Sequence, residues 1–442
     1  MTDQAVDRWV AAFDAFSANG ASGAPEWVQA LRRGAMDRFA QHGFPHAKEE
    51  AYRFTNTAVL QQTPFRLAPR AELDAAALVP FRLVPEAPCA VTVNGRFDAG
   101  LSRLGGLSAG VTVMGLAEAL ESHGDLVRKH LDNLSGAADS PFAALATAFV
   151  RDGLFVHVAP DVMVDQPIEL VHVVVPGSEP VVSCPRTLVV LEAGATLKLT
   201  ETFAGTGSQP YWTNAVGEAV VGENARLETH RIQREGPAAF HTGAVHSHQA
   251  RSSHHQILSF VFGGSLTRID AGAVLDGEGA ECVMNGLIVA QDHQHVDHHT
   301  TLDHAKPHCN SWEFVNGIYD EQARGVFTGR IIVRPGAQKT DSKQTNNNLL
   351  LSPTARADSQ PQLEIYADDV RCTHGATLGP IDEKSLFYLQ SRGLNRAEAR
   401  NLLTWGFGAE ILNYVTDDRI RAALDAVVHA RLDEGARRRG EA

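Results

Sequence analysis

Cysteine is scarce and scattered in this 442-residue chain. Cys89, Cys184, Cys282, Cys309 and Cys372 are odd in number, widely spaced and never arranged C-x-x-C. That argues against a disulfide framework and against a self-contained structural zinc site. Long apolar runs are missing too: "IELVHVVVPG" is far too short to span a bilayer. The N-terminus carries acids early and has no basic segment followed by an apolar one. No signal peptide is therefore expected, and the chain reads as soluble and cytoplasmic. Positive charge is in deficit. With 39 Lys and Arg against 52 Asp and Glu, the net charge is −13, which argues against nucleic acid and anionic membranes as partners. Several catalytic signatures are also absent. No G-x-x-x-x-G-K-[ST] is present, so any nucleotide hydrolysis belongs to a partner. There is no G-x-G-x-x-G opening a helix and no H-E-x-x-H.

What is present divides the chain into textures. The first ninety residues read as helical. Val6, Trp9, Val10, Phe13 and Phe16 have helical spacing, with Gly20 as a stop, and "APEWVQALRRGAMDRFAQHG" repeats the pattern. "AVTVNGRFDAGL" alternates around Asn94-Gly95, a hairpin signal. Helical stretches follow near Met114–Leu131 and Pro141–Val150. From about Asp152, helical periodicity gives way to short alternating runs. Small turns recur between them: Gly194-Ala195, Asn224-Ala225, Gly264-Ser265, Gly279-Ala280, Gly336-Ala337 and Thr354-Ala355. A sandwich, a barrel or a β-solenoid fits. Asn346-Asn347-Asn348 before Leu349-Leu350-Leu351 favours the solenoid, through a stacked amide ladder and an apolar interior. After Gly379 helices return, with Asp382 and Asn395 as caps and Thr416 opening the last helix.

Three groups of residues could carry chemistry or recognition. "QDHQHVDHHTTLDHAKPHCNS", from Gln291 to Ser311, holds six histidines, three aspartates and one cysteine. On a strand, His293, His295, Asp297, His299, Thr301 and Asp303 share one face and His298 and His304 the other. A row of ligands is not a tetrahedral cage, so the run fits a polar face with some hydrogen-bonded inward histidines. In "DVRCTHGATLGP", Val370, Cys372 and His374 share a strand face. A thiol beside an imidazole suits iron or zinc, or an activated thiolate. A shared face with Val370 fits plain burial equally. In the C-terminal helices, Leu402, Leu403, Phe407, Ile411 and Leu412 form a stripe. Packing on the β domain explains it, and a docking surface for another protein is the alternative.

The stretch from "GVFTGRIIVRPGAQKTDSKQTNNNLLL" to "SRGLNRAEARNLL" resembles the SufB/SufD family of iron–sulfur cluster assembly proteins. The match extends back through "DHHTTLDHAKPHCNS", with weaker pieces in "FPHAKEEAYRFTN" and "VTVNGRF", and covers most of the chain. Within the family, "CTHGAT" has the SufD form: SufB-type sequences carry an acidic residue where Gly375 stands. The resemblance implies a mainly β fold, a right-handed parallel β-helix flanked by N-terminal and C-terminal α-helical regions. The corresponding division is a helical region at 1–88, a hairpin and helices capping the solenoid at 89–150, the β-helix at 151–378 and a helical region at 379–442. It also implies a non-catalytic scaffold that pairs with SufB through the β-helix. The ATPase SufC would dock on the C-terminal helices, where Leu402, Leu403 and Phe407 lie, and a homodimer is possible when the chain is alone. A transient, nascent iron–sulfur cluster would form at the SufB interface, with His374 and Cys372 as the matching residues. The alternative is a free-standing β-helix metalloenzyme using the His293–His308 cluster.

Overall fold

Alternation with period two forces successive side chains to opposite faces, and the runs after Asp152 do form strands. In the computed structural model, which describes residues 2–19, 23–134 and 140–439, consecutive strands enter two different sheets. One sheet stacks Leu154–Val158, Arg186–Leu191, Tyr211–Val221, Ala239–Gln249, Leu266–Leu275, His295–His304, Arg324–Val333 and Arg356–Ile365. The other stacks Cys89–Val93, Ile168–Val174, Thr196–Gly205, Arg226–Gln233, His254–Val261, Glu281–Ala290, Asn310–Tyr319, Asp341–Leu350 and Arg371–Gly379. Pairing along both stacks is parallel, so the chain winds as a β-solenoid. Cys89–Val93 comes from before residue 151 and also pairs with Arg96–Phe97 in the Asn94-Gly95 hairpin.

The repeat length varies. Register partners lie 28 residues apart at Asn214 and Thr242, 29 at Arg268 and Asp297, 31 at Ser311 and Ser342, and 32 at Thr328 and Gln360. The corners absorb this variation. One corner repeats a left-handed residue followed by a small buried one: Gly194-Ala195, Asn224-Ala225, Ser252-Ser253, Gly279-Ala280, His308-Cys309 and Lys339-Thr340. Each left-handed residue donates its N–H to the corner of the next rung, at 2.7 to 3.2 Å. Gly264-Ser265 and Thr354-Ala355 lie at the opposite corner.

The interior is apolar for most of its length, with Ile257, Met284, Ile288, Leu302, Val315 and Ile331 in one cluster. The expected asparagine ladder does not form as a vertical stack. Asn346 and Asn348 point inward and bond to each other along one strand at 2.7 Å, and Asn348 has Gly317 and Leu378 as register neighbours. Outside, the two helical regions cover different sheets. Trp9, Phe13, Phe39, Phe142 and Phe149 pack with Trp212 over the first sheet. Ile411, Leu412, Leu424 and Val428 pack with Leu258, Leu287 and Ile318 over the second. Helices span Thr2–Asn19, Glu26–His42, Leu116–Ser122, Gly124–His130, Pro141–Ala148, Glu383–Ser391, Arg396–Leu412 and Asp418–Arg438. Asp382 and Asn395 cap as expected, Asn395 within a full capping box. The last helix is capped by Asp417, while Thr416 bonds Glu228. Met114 belongs to the strand Val111–Gly115, and Gly20 lies outside the described residues. No described helix is long and apolar enough to cross a membrane.

Candidate functional site

Arg371–Gly379 is the last strand of its sheet, and Arg356–Ile365 the last of the other. Each has a partner on one side only, so the solenoid ends in two open edges with unpaired backbone groups. The inner face of this final rung has no further coil above it. Cys372 stacks on Ser342, and His374 on Gln344. Cys372 is half-buried against the apolar interior with Leu350 and Val370, while His374 is exposed. Burial, with a smaller contribution from Asp341, pushes the Cys372 thiol up from its ordinary value. The shared face expected for Cys372 and His374 is therefore present, at the open end. The same terminal rung exposes Ile365, Tyr366 and Leu378.

Beneath this rung runs a polar seam inside the solenoid. Under Cys372 the column holds Ser342, Ser311 and Cys282. Ser311 bonds Ser342 at 2.7 Å and His304 at 2.9 Å. Under His374 the column holds Gln344, Glu313 and Met284. Gln344 Nε2 donates to Glu313 Oε2 at 2.5 Å, and burial pushes the Glu313 carboxyl up to about 7. Glu313 was legible only as an inward position of an alternating strand, since nothing in "NSWEFVNGIY" marks it as functional.

The histidine run is dispersed. His293 is exposed, and His308 is a left-handed corner residue. His298 and His304 point inward and are buried; burial holds both imidazoles low, at about 4. His295 and His299 face outward toward the N-terminal segment 44–57, where Thr55 bonds both His295, at 2.9 Å, and Asp297, at 2.5 Å. Asp297 in turn accepts from Arg268 at 2.6 Å, and Arg268 also donates to Ala51 O at 2.7 Å and stacks on Tyr52. This buried network explains "FPHAKEEAYRFTN", and sequence spacing could not link it to residues more than 200 positions away. Among the described residues, no three His, Cys, Asp or Glu side chains converge to hold a metal ion.

The C-terminal stripe splits. Ile411 and Leu412 are buried on the β sheet, and Phe407 packs at their edge, its carbonyl accepting from Asn316 at 2.8 Å. Leu403 is half-buried and Leu402 exposed. The more exposed apolar side chains are Phe387 and Tyr388, on the neighbouring helix Glu383–Ser391.

Comparison with known proteins places this geometry. Residues 173–407 match the family model described as SUF system FeS cluster assembly, SufBD core domain, and residues 4–170 match the SufBD protein N-terminal region. An iron–sulfur cluster assembly SufBD family protein of Synechocystis is 32% identical over 90% of this chain and 90% of its own length. The iron–sulfur cluster assembly protein SufD of Escherichia coli is 35% identical over 62% of this chain and 65% of its own length. SufD of Bacillus subtilis is 25% identical over 73% of this chain and 74% of its own. With a solenoid core, helices on both sheets and both family models matched, this chain belongs to the SufBD family of iron–sulfur cluster assembly proteins.

Proposed function

We propose that this chain is a SufD-like, non-catalytic scaffold subunit that assembles iron–sulfur clusters together with a SufB partner and the ATPase SufC in the cytoplasm. The observation that carries it is the open end of the solenoid. Two unpaired sheet edges, on the terminal rung that exposes Ile365, Tyr366 and Leu378, suit edge-to-edge pairing with a second β-helix. Such pairing would cover the exposed backbone and enclose His374 and Cys372 at the junction. The cluster is cargo here. An imidazole and a thiol are borderline and soft donors, suited to holding iron and to releasing it again. Two donors from one chain leave coordination to be completed by the partner, which favours a site that exists only in the complex. The chain carries no P-loop, so the ATPase is a separate subunit. The C-terminal helices, with Leu402, Phe387 and Tyr388 outward, are its docking surface. The test is co-purification of the full chain with SufB and SufC, followed by anaerobic reconstitution with iron and sulfide. A stable complex that develops cluster absorption is expected. A chain that binds neither partner but holds stoichiometric metal and hydrolyses substrates alone would overturn the proposal.

A further inference from the structure

Many arginines in this acidic chain form ion pairs. Arg186 meets Glu218, Arg268 meets Asp270 and Asp297, Arg324 meets Asp358, and Arg334 meets Asp303. Two arginines without a carboxylate ion pair share one cavity. The "VTVNGRF" hairpin turns at Asn94 and Gly95, both left-handed, and delivers Arg96 to a cavity of about 240 Å³. Asn94 pins the turn: its amide donates to Pro69 O at 2.9 Å, and its carbonyl accepts from Val175 N at 2.8 Å. Arg151 lines the same cavity, its guanidinium 4.7 Å from the centre of the Phe16 ring. Arg32 approaches that ring at 5.5 Å, with its Nε donating to Val150 O.

Arg96 and Arg151 each bury an Nε with no hydrogen-bond partner, and neither forms an ion pair among the described residues. Asp152, the carboxylate that acts on Arg96, forms no ion pair with it and accepts instead from Phe97 N at 2.9 Å and Ala117 N at 3.0 Å. Burial lowers all three: Arg151 adds repulsion on Arg32, which is held down to about 10, Arg151 and Arg70 add it on Arg96 against a smaller pull from Asp152, and Arg70 adds it on Arg151. Neither Arg96 nor Arg151 has a carboxylate within ion-pair distance among the described residues. Uncompensated positive charge in a recess destabilises the free protein, so an anion that enters recovers that energy. Two planar guanidinium forks match the oxygens of a phosphate. A near-dianion suits two neighbouring guanidinium groups better than a single carboxylate does. Phe16 and Phe149, edge to face at 5.4 Å, form an apolar wall for an organic group. A helix about 10–12 Å across does not fit this volume, whereas a small molecule does.

We propose that this pocket binds a small phosphorylated metabolite, its phosphate held between Arg96 and Arg151 and its organic part against Phe16 and Phe149. The proposal is independent of the assembly role. The experiment is calorimetric titration of the full chain at low ionic strength with adenosine 5′-monophosphate, inorganic phosphate, pyrophosphate and a hexaglutamate peptide. Saturable binding of the monophosphate is expected, tighter than inorganic phosphate. Arg96→Gln and Arg151→Gln should each weaken it about tenfold or more, the loss expected for a hydrogen bond to a charged group. Without ligand, both variants should melt at or above the wild-type temperature, because a like charge has gone. An arginine with a purely structural role would lower it. Should Arg151→Gln not fold, Arg96→Lys carries the test, since lysine keeps the charge and loses the fork. The proposal is overturned by absence of saturable phosphate binding, by binding that survives in the double variant, by equal affinity for inorganic phosphate and the monophosphate, or by preference for hexaglutamate.

Discussion

Thr55 donates to Asp297 at 2.5 Å across 242 residues of sequence, and this bond ties the N-terminal segment to the outer face of the solenoid. Burial alone would push the Asp297 carboxyl up. His299 and Arg268 outweigh it and hold the group below the usual carboxylate range. A folded value below the unfolded one stabilises the protein above the unfolded pKa, and the gain disappears as pH falls through the folded value. Asp297→Ala should cost about 3 kcal/mol near neutral pH, because buried Arg268 loses one of its two carboxylate partners and keeps only Asp270. Thr55→Ala should cost about 1–3 kcal/mol. Urea melts check both, and the gap between wild type and Asp297→Ala should narrow toward strongly acidic pH. An unchanged midpoint for Asp297→Ala would show that the network contributes nothing.

Glu313 has the opposite sign. Burial raises its folded value to about 7, and Thr300 and Gln344 pull it down without cancelling the effect. Below the unfolded pKa it is protonated in both states. Between that value and about 7, the unfolded chain releases a proton that the folded chain keeps, so stability falls as pH rises. The total is about 3 kcal/mol for a shift of this size. Glu313→Gln keeps the hydrogen bonding and removes the charge. It should match the wild type near pH 4 and exceed it by about 2–3 kcal/mol near pH 8, with urea melts at the two pH values as the measurement. A constant difference across pH would mean that Glu313 does not titrate in this range.

The solenoid was legible because alternation and corner residues are local. Gly194, Asn224 and Gly279 announce left-handed corners, as glycine and asparagine do. Ser252, His308 and Lys339 occupy the same place in other rungs and gave no signal, so Cys309 passed for a possible ligand when it stands where Ala280 stands one rung earlier. The shared face of Cys372 and His374 was also local, and so legible. Their exposure was not, since an inward strand position is normally covered, and only the end of the stack uncovers it. The convergence of Arg96 with Arg151 depends on how a hairpin and a helix end meet in space, which no spacing encodes.

The C-terminal helices combine a packed face and a free one. Truncation after Pro380 would uncover Leu287 and Ile318, so point variants test docking more cleanly. Phe387→Asp combined with Leu402→Asp should leave the midpoint of unfolding within about 0.5 kcal/mol, since both side chains are exposed. The same pair should weaken SufC binding at least tenfold, about 1.4 kcal/mol, in a pull-down titration. Phe407→Ala should do the reverse, costing about 2 kcal/mol of stability because the ring packs on the β sheet. Full SufC binding by the double aspartate variant would place the docking surface elsewhere.

His374 stands exposed at the open end, while Cys372 beside it sits half in the apolar interior with a thiol that burial keeps protonated. A ligand must shed its proton before it binds iron. The imidazole is exposed at the open end, so iron can reach it before the junction closes. The thiol becomes available only if the rung shifts outward or a cation approaches it. The two positions should therefore differ in importance. His374→Ala should abolish cluster assembly in the three-component complex without unfolding the chain or releasing SufB, because the lost ring is exposed. Cys372→Ala should retain part of the activity, and its main cost should be a small loss of stability, about 1 kcal/mol, from the emptied volume. Anaerobic reconstitution read by visible absorption, with complex size measured on the same samples, separates the outcomes. If the His374→Ala complex stays intact and assembles clusters at the normal level, the imidazole is not a ligand. If Cys372→Ala is the more damaging of the two, a rung movement that frees the thiol precedes iron binding, and the order of ligation is reversed.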